Sequence, residues 1–209
     1  MKSGLIFLTM ILLGSIFCFY SCKPSSSGQQ TSSEETDQKD SVLKESTINY
    51  IETGQKYVNA TQSVLAKNLL EAINRDGAPY ALEFCNVRAY PLTDSLARIH
   101  HVGIRRVTDK ARNPANKANA LEMTHIALLQ SNLAKGENLS PAVTEQNGKM
   151  VGYYPILTNA MCLQCHGKPN VDISRVTLDK IQALYPDDQA TGYGVNELRG
   201  LWVVEMDKQ

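Results

Sequence analysis

Cys162-Leu163-Gln164-Cys165-His166 is the stretch on which the reading of this chain turns. A Cys-x-x-Cys-His run is the attachment signature of a c-type haem. Two cysteines three residues apart fit on one turn of helix, so both sulfurs can reach the two vinyl groups of one porphyrin. His166 then lies beneath the ring and can offer an imidazole nitrogen to the iron. Three other readings stand beside it. The cysteines could form a thioredoxin-type dithiol, although that motif follows a strand in a cytosolic protein and carries no appended His. They could bind zinc, with Cys85 and His166 completing a Cys3His set, although the second paired-ligand knuckle of a structural zinc site is missing. They could form a disulfide, which leaves His166 without a role.

Working outward, the N-terminus reads as an export signal. Lys2 supplies the positive end, and Leu5 to Phe19 is mostly apolar, interrupted by Thr9, Gly14 and Ser15. A permanent span needs roughly 20 predominantly apolar residues, so this run is short for one. It ends in Phe19-Tyr20-Ser21-Cys22, which resembles a relaxed bacterial lipobox. Cys22, behind small Ser21, fits lipidation better than Cys18, behind bulky Phe17. An uncleaved anchor and cleavage without lipid are the alternatives. The expected organisation is a lipoprotein signal peptide over 1–22, a disordered tether over 23–41 and one domain over 42–209. The expected location is periplasmic or at the cell surface, with a lipid membrane engaged through lipidated Cys22. The tether is rich in Ser, Gln, Thr and acids and has almost no apolar surface to offset chain entropy.

The chain has 21 basic and 21 acidic residues. That balance argues against nucleic acid as a partner, since such binders show a basic excess. Of the five cysteines, two lie in the signal region, two in the haem motif, and Cys85 is left over. An odd cysteine in an exported chain needs an explanation; a small buried hydrophobe is one.

The patterning predicts an α+β domain. Ile51, Val58 and Leu65 recur on one stripe of a helix from about 42 to 76, with Gly54 as a point of weakness. Gly77 is a C-terminal stop, with Pro79 two residues beyond. Short helices are expected over 79–87 and 91–101, then a strand over 102–108. Asn119 with Glu122 resembles a capping box opening a helix to about Leu133. Strands over 142–145 and 150–157 flank Asn147-Gly148, a strong hairpin signal. A helix over 173–185 and a last strand over 200–206 complete the composite: helices first, then a small antiparallel sheet with the haem motif inserted.

Several blocks occur in a telling order: Glu83-Phe84-Cys85, Arg105-Arg106-Val107-Thr108, Arg112-Asn113-Pro114-Ala115-Asn116, Tyr154-Pro155, Cys162 to Gly167, and Tyr185-Pro186-Asp187 through Tyr193. Together they resemble the single-haem c-type cytochrome family with a PAS-like fold, long filed as a domain of unknown function, over most of the chain from about residue 45. Related domains occur as free exported proteins and as sensor parts of membrane signalling proteins. The resemblance implies a PAS-like antiparallel sheet with N-terminal helices and one covalent haem c. It implies His166 as the proximal iron ligand and Cys85 as the opposite axial ligand. It also implies a non-enzymatic role: a redox or small-ligand sensor, or else a low-potential electron-transfer cytochrome, working with a redox or signalling protein partner. Arg105, Arg106 and Arg112 are candidates for pairing with haem propionates. His125, on a helix face with Leu121 and Leu128, reads as a core or partly buried histidine. His100 and His101 read as helix-end cations. Any of the three is a rival to Cys85 for the iron.

Overall fold

A glycine divides the first helical stretch, α1 (Ser33–His100), into two arms. Asp76 (φ −155°, ψ 27°) and Gly77 (φ 75°, ψ −175°) leave helical geometry, and a positive φ is cheap for glycine alone. The second arm restarts with Pro79 in its first turn, where the missing N–H is not needed. The stop expected at Gly77 is therefore present. The break expected between the helices over 79–87 and 91–101 is not: the second arm runs through Pro91 to His100. Burial of Ala89 and Thr93 on either side of Pro91 outweighs one lost backbone bond, since packing rather than propensity holds most helices. Gly54 does not break the first arm either.

The computed structural model describes residues 33–208, with side chains from Thr47 on, apart from Ile48. The chain divides into two units, Met1–Lys39 and Asp40–Gln209; the sheet, the helices that cover it and the candidate site all belong to the second. The signal over 1–22, Cys22 and residues 23–32 of the expected tether lie outside the described residues. From Ser33 the expected tether is helical rather than disordered. Its Glu, Gln and Lys residues are good helix formers, so a lack of apolar surface does not exclude helix. Among the described residues no helix is long and apolar enough to cross a membrane.

After α1 come β1 (Gly103–Val107), α2 (Ala120–Ala134), β2 (Ala142–Gln146), β3 (Lys149–Leu157), a one-turn helix α3 (Leu163–His166), α4 (Arg175–Leu184) and β4 (Leu198–Asp207). The capping box is formed: Asn119 accepts from the Glu122 amide at 3.0 Å, and Glu122 accepts from the Asn119 amide at 2.8 Å. Asn147 and Gly148 both have positive φ, 50° and 78°, as a two-residue type I′ hairpin turn requires.

The four strands form an antiparallel sheet in the order β1-β4-β3-β2. β4 is central, and its side chains alternate between faces. Leu201 and Val203 meet Ile126 and Leu129 of α2. Trp202, Val204 and Met206 meet Val58 of α1 and Tyr154. With both faces covered, the strand reads as a nearly unbroken apolar run, and each fully buried aliphatic side chain contributes roughly 2 kcal/mol. A third cluster joins Leu82 of α1 to Ile173 and to Ile181 of α4, with Cys165 packed against it. The expected α+β architecture, helices around a small antiparallel sheet, is the one observed.

Candidate functional site

The Cys162–His166 segment is held by its neighbours on both sides. Asn159 caps its start, its side chain accepting from the Met161 amide at 2.9 Å and the Cys162 amide at 3.2 Å. After α3, the carbonyls of His166 and Gly167 accept from Tyr193 at 2.9 Å and Gly192 at 2.8 Å. A side chain at position 167 would collide with Asp172 and with the Leu163 carbonyl, so glycine is needed to end this turn.

Arg112 ties the segment down. Its Nη2 donates to the Cys165 carbonyl at 2.6 Å, and its fork pairs with Asp188 at 3.0 and 3.1 Å. The same nitrogen points at the Ala190 carbonyl, 3.5 Å away. That carbonyl lies 2.7 Å from His166 Nδ1.

Cys85, Cys162, Cys165 and His166 line one cavity of about 280 Å³. The three described cysteines are unbridged. Leu69 and Ile73 of the first arm of α1 line it beside Ala81, Leu82 and Cys85 of the second, so the Gly77 kink sets two helical walls at an angle around one space. Among the described residues no three His, Cys, Asp or Glu side chains gather closely enough to hold a metal ion. The four sequence-expected residues thus face a shared space rather than converge on an ion-sized centre, and the Cys3His zinc reading loses its geometry.

Burial is the leading influence on these groups. It pushes the His166 imidazole well below its ordinary range, with the charges of Arg199 and Arg112 adding to the effect against the Ala190 hydrogen bond. His166 is neutral at pH 7. Burial raises the Cys85 thiol, opposed by Arg106 and Arg112, and pushes the Cys165 thiol up to about 11, opposed by Arg112.

The arginines sort by what they touch. Arg105 does not reach the cavity; it is half-exposed and pairs with buried Glu122. Arg112 lines the cavity, but its donors serve Asp188, Cys165 and Ala190. Arg106 lines it with no ion pair among the described residues, its guanidinium 5.4 Å from the Trp202 ring centroid. Arg199, which sequence patterning does not single out, lines it too. A lone cation at the head of the apolar run of β4 is the available signal.

The rival histidines lie elsewhere. His125 is half-buried and stacks on Tyr153 at 3.9 Å, His100 packs near Tyr57 at 5.1 Å, and exposed His101 turns the chain with φ 53°. None of them lines the cavity.

A solved structure described as the crystal structure of the cyanobacterial heme-protein Tll0287 resembles this chain with a TM-score of 0.53. It is 22% identical, and the match covers 76% of this chain and 96% of that one. At that identity the likeness speaks for the fold. No curated protein matches. The model of the Tll0287-like family matches residues 29–206. That span takes in every block that carries the resemblance, from Glu83 to Tyr193, and the cavity those blocks surround; this chain belongs to the Tll0287-like family.

Proposed function

We propose that this chain binds one covalent haem c between His166 and Cys85 and works outside the cytoplasm as a redox or small-ligand sensor. The observation that carries the reading is the meeting of Cys85, Cys162, Cys165 and His166 around one cavity. The residues present suit the group. A carbonyl can only accept, so the contact with Ala190 places the His166 proton on Nδ1 and leaves a lone pair on Nε2. Cys162 and Cys165 supply two thiols on adjoining turns. Each adds across one vinyl double bond, sulfur to one carbon and hydrogen to the other. Arg106 and Arg199 bring positive charge to a cavity whose ligand would carry two carboxylates. The related solved structure is described as a heme-protein.

Bound there, haem supplies one-electron redox chemistry and, where a protein ligand leaves, a place for a small diatomic molecule. The chain's residues decide which use is made of it. A thiolate from Cys85 would stabilise the oxidised state and keep the potential low. With haem bound, Cys85 would be the ligand to let go first, since a thiolate holds iron less firmly once it is protonated or the iron is reduced. Cys85 belongs to the second arm of α1, and Leu82 one turn earlier packs on α4. Release therefore acts on a long helix rather than on a surface loop, which favours sensing over simple carriage. The reading extends to an exported lipoprotein anchored at Cys22, with a redox or signalling protein as its partner.

A redox titration followed by absorption tests this. The wild type, made with a working haem-ligation apparatus, should be coloured, and Cys85→Ala should lose its thiolate features. An unchanged Cys85→Ala spectrum removes that ligand. Carbon monoxide uptake by the reduced protein supports sensing; fast electron exchange without uptake supports an electron carrier. Lipid on Cys22 in the mass of the mature N-terminus tests the anchor.

A further inference from the structure

Two of the cavity's cations have no anionic partner. Among the described residues neither Arg106 nor Arg199 forms an ion pair, whereas Arg105 is taken by Glu122 and Arg112 by Asp188. Arg199 is nevertheless held in place. Its Nη1 donates to Thr108 Oγ1 at 3.0 Å and to the Lys110 carbonyl at 3.2 Å, and its guanidinium lies 5.4 Å from the Tyr193 ring centroid. Its Nε is buried without a hydrogen-bond partner. Arg106 is steadied in a similar way against Trp202. Burial draws both guanidiniums below the ordinary arginine value. Both are half-buried, and a cation drawn partly out of water without a counter-charge is costly, so two in one cavity describe a site awaiting negative charge.

Both line the cavity that Cys85 and His166 share. Both come from neighbouring strands, Arg106 from β1 and Arg199 from the start of β4.

We propose that Arg106 and Arg199 form a two-armed carboxylate clamp, each guanidinium gripping an acid group of the bound porphyrin. A guanidinium fork matches a carboxylate with two parallel N–H donors. Thr108 and Tyr193 pre-set the Arg199 fork, so little ordering is left for binding. The clamp rests on the haem reading. Of the three arginines expected from the sequence it keeps Arg106, sets aside Arg105 and Arg112, which are paired with Glu122 and Asp188, and adds Arg199.

The test is resonance Raman spectroscopy of the haem-loaded protein, read at the propionate-bending band, together with the midpoint potential. Arg199→Gln should move that band and make reduction about tenfold less favourable, which is 59 mV for one electron. Arg199→Lys, which keeps the charge but not the fork, should move the band while leaving most of the potential in place, and it serves where Arg199→Gln does not fold. Arg106→Gln should move the band separately. A purely structural role for Arg199 would leave the propionate band where it is. An unmoved band in the Arg199 variants and in Arg106→Gln overturns the clamp with haem still attached. A wild type that takes up no haem overturns the reading beneath it and the clamp with it.

Discussion

A backbone carbonyl has no proton to give, and at the scale of single residues that fact organises the site. Ala190 O accepts from His166 Nδ1 at 2.7 Å and lies 3.5 Å from Arg112 Nη2, so one oxygen serves both the proposed ligand and the arginine that ties its segment down. Arg112 and Asp188 are both nearly buried, with side-chain exposures of 10% and 8%. Removing one partner of such a pair strands the other charge, so Arg112→Ala should lose about 3–5 kcal/mol of stability in urea unfolding. A loss under about 1 kcal/mol would mean that water takes over the Asp188 contacts. The haem motif is legible in the sequence because its chemistry is local: two thiols and an imidazole within five residues. Cys85 is legible only as a cysteine left over, and through the resemblance. Arg199 is not legible, because what makes it a cavity residue is the β1–β4 pairing, which brings it to Thr108 across the sheet.

At the scale of elements, the glycines and prolines of α1 show where local signals mislead. Gly77 is legible as a stop because the reason is local, a positive φ. Gly54 looks like a weak point within the helix, but its reason lies across the fold. The Tyr154 ring packs against it, and the Tyr154 hydroxyl donates to the Ile51 carbonyl at 3.1 Å and the Tyr50 carbonyl at 3.3 Å. A Cβ at position 54 would lie 1.9 Å from that hydroxyl. Gly54→Ala should therefore push α1 off the sheet and cost about 1–3 kcal/mol. The contact is with one ring, so the Gly54→Ala/Tyr154→Phe double variant should be more stable than the sum of the two single losses implies, a coupling that a double-mutant cycle reads directly. Additive losses would show that the ring and the helix do not constrain each other. Pro91 misleads in the opposite direction. Its missing N–H predicts a break, yet buried neighbours on both sides carry the helix across it.

At the scale of the whole molecule, the interior is built to keep acids protonated. The sheet is packed on both faces, by α1 and by α2, and the thiols are half-buried along the cavity. Burial raises Cys85, takes Cys165 from an ordinary 9.0 to about 11, and takes Tyr154 from 10.0 to about 12. Each group holds its proton more tightly folded than unfolded. Between its ordinary and its raised value the folded state carries more protons than the unfolded one, so stability is lost as pH rises through that window. For Cys165 the window runs from about 9 to 11, and for Tyr154 from about 10 to 12. The haem-free protein should therefore weaken from about pH 9 upward in urea unfolding followed over pH 7 to about 11.5. Tyr154→Phe should flatten the upper part of that decline while losing about 1 kcal/mol at neutral pH for the hydroxyl's bonds. On the proposed reading, attachment of haem would turn the Cys165 thiol into a thioether that has no proton to lose. The loaded protein should then begin its decline a unit later, at the tyrosine window, and an alkaline profile identical with and without haem would show that Cys165 is not where the cofactor is joined.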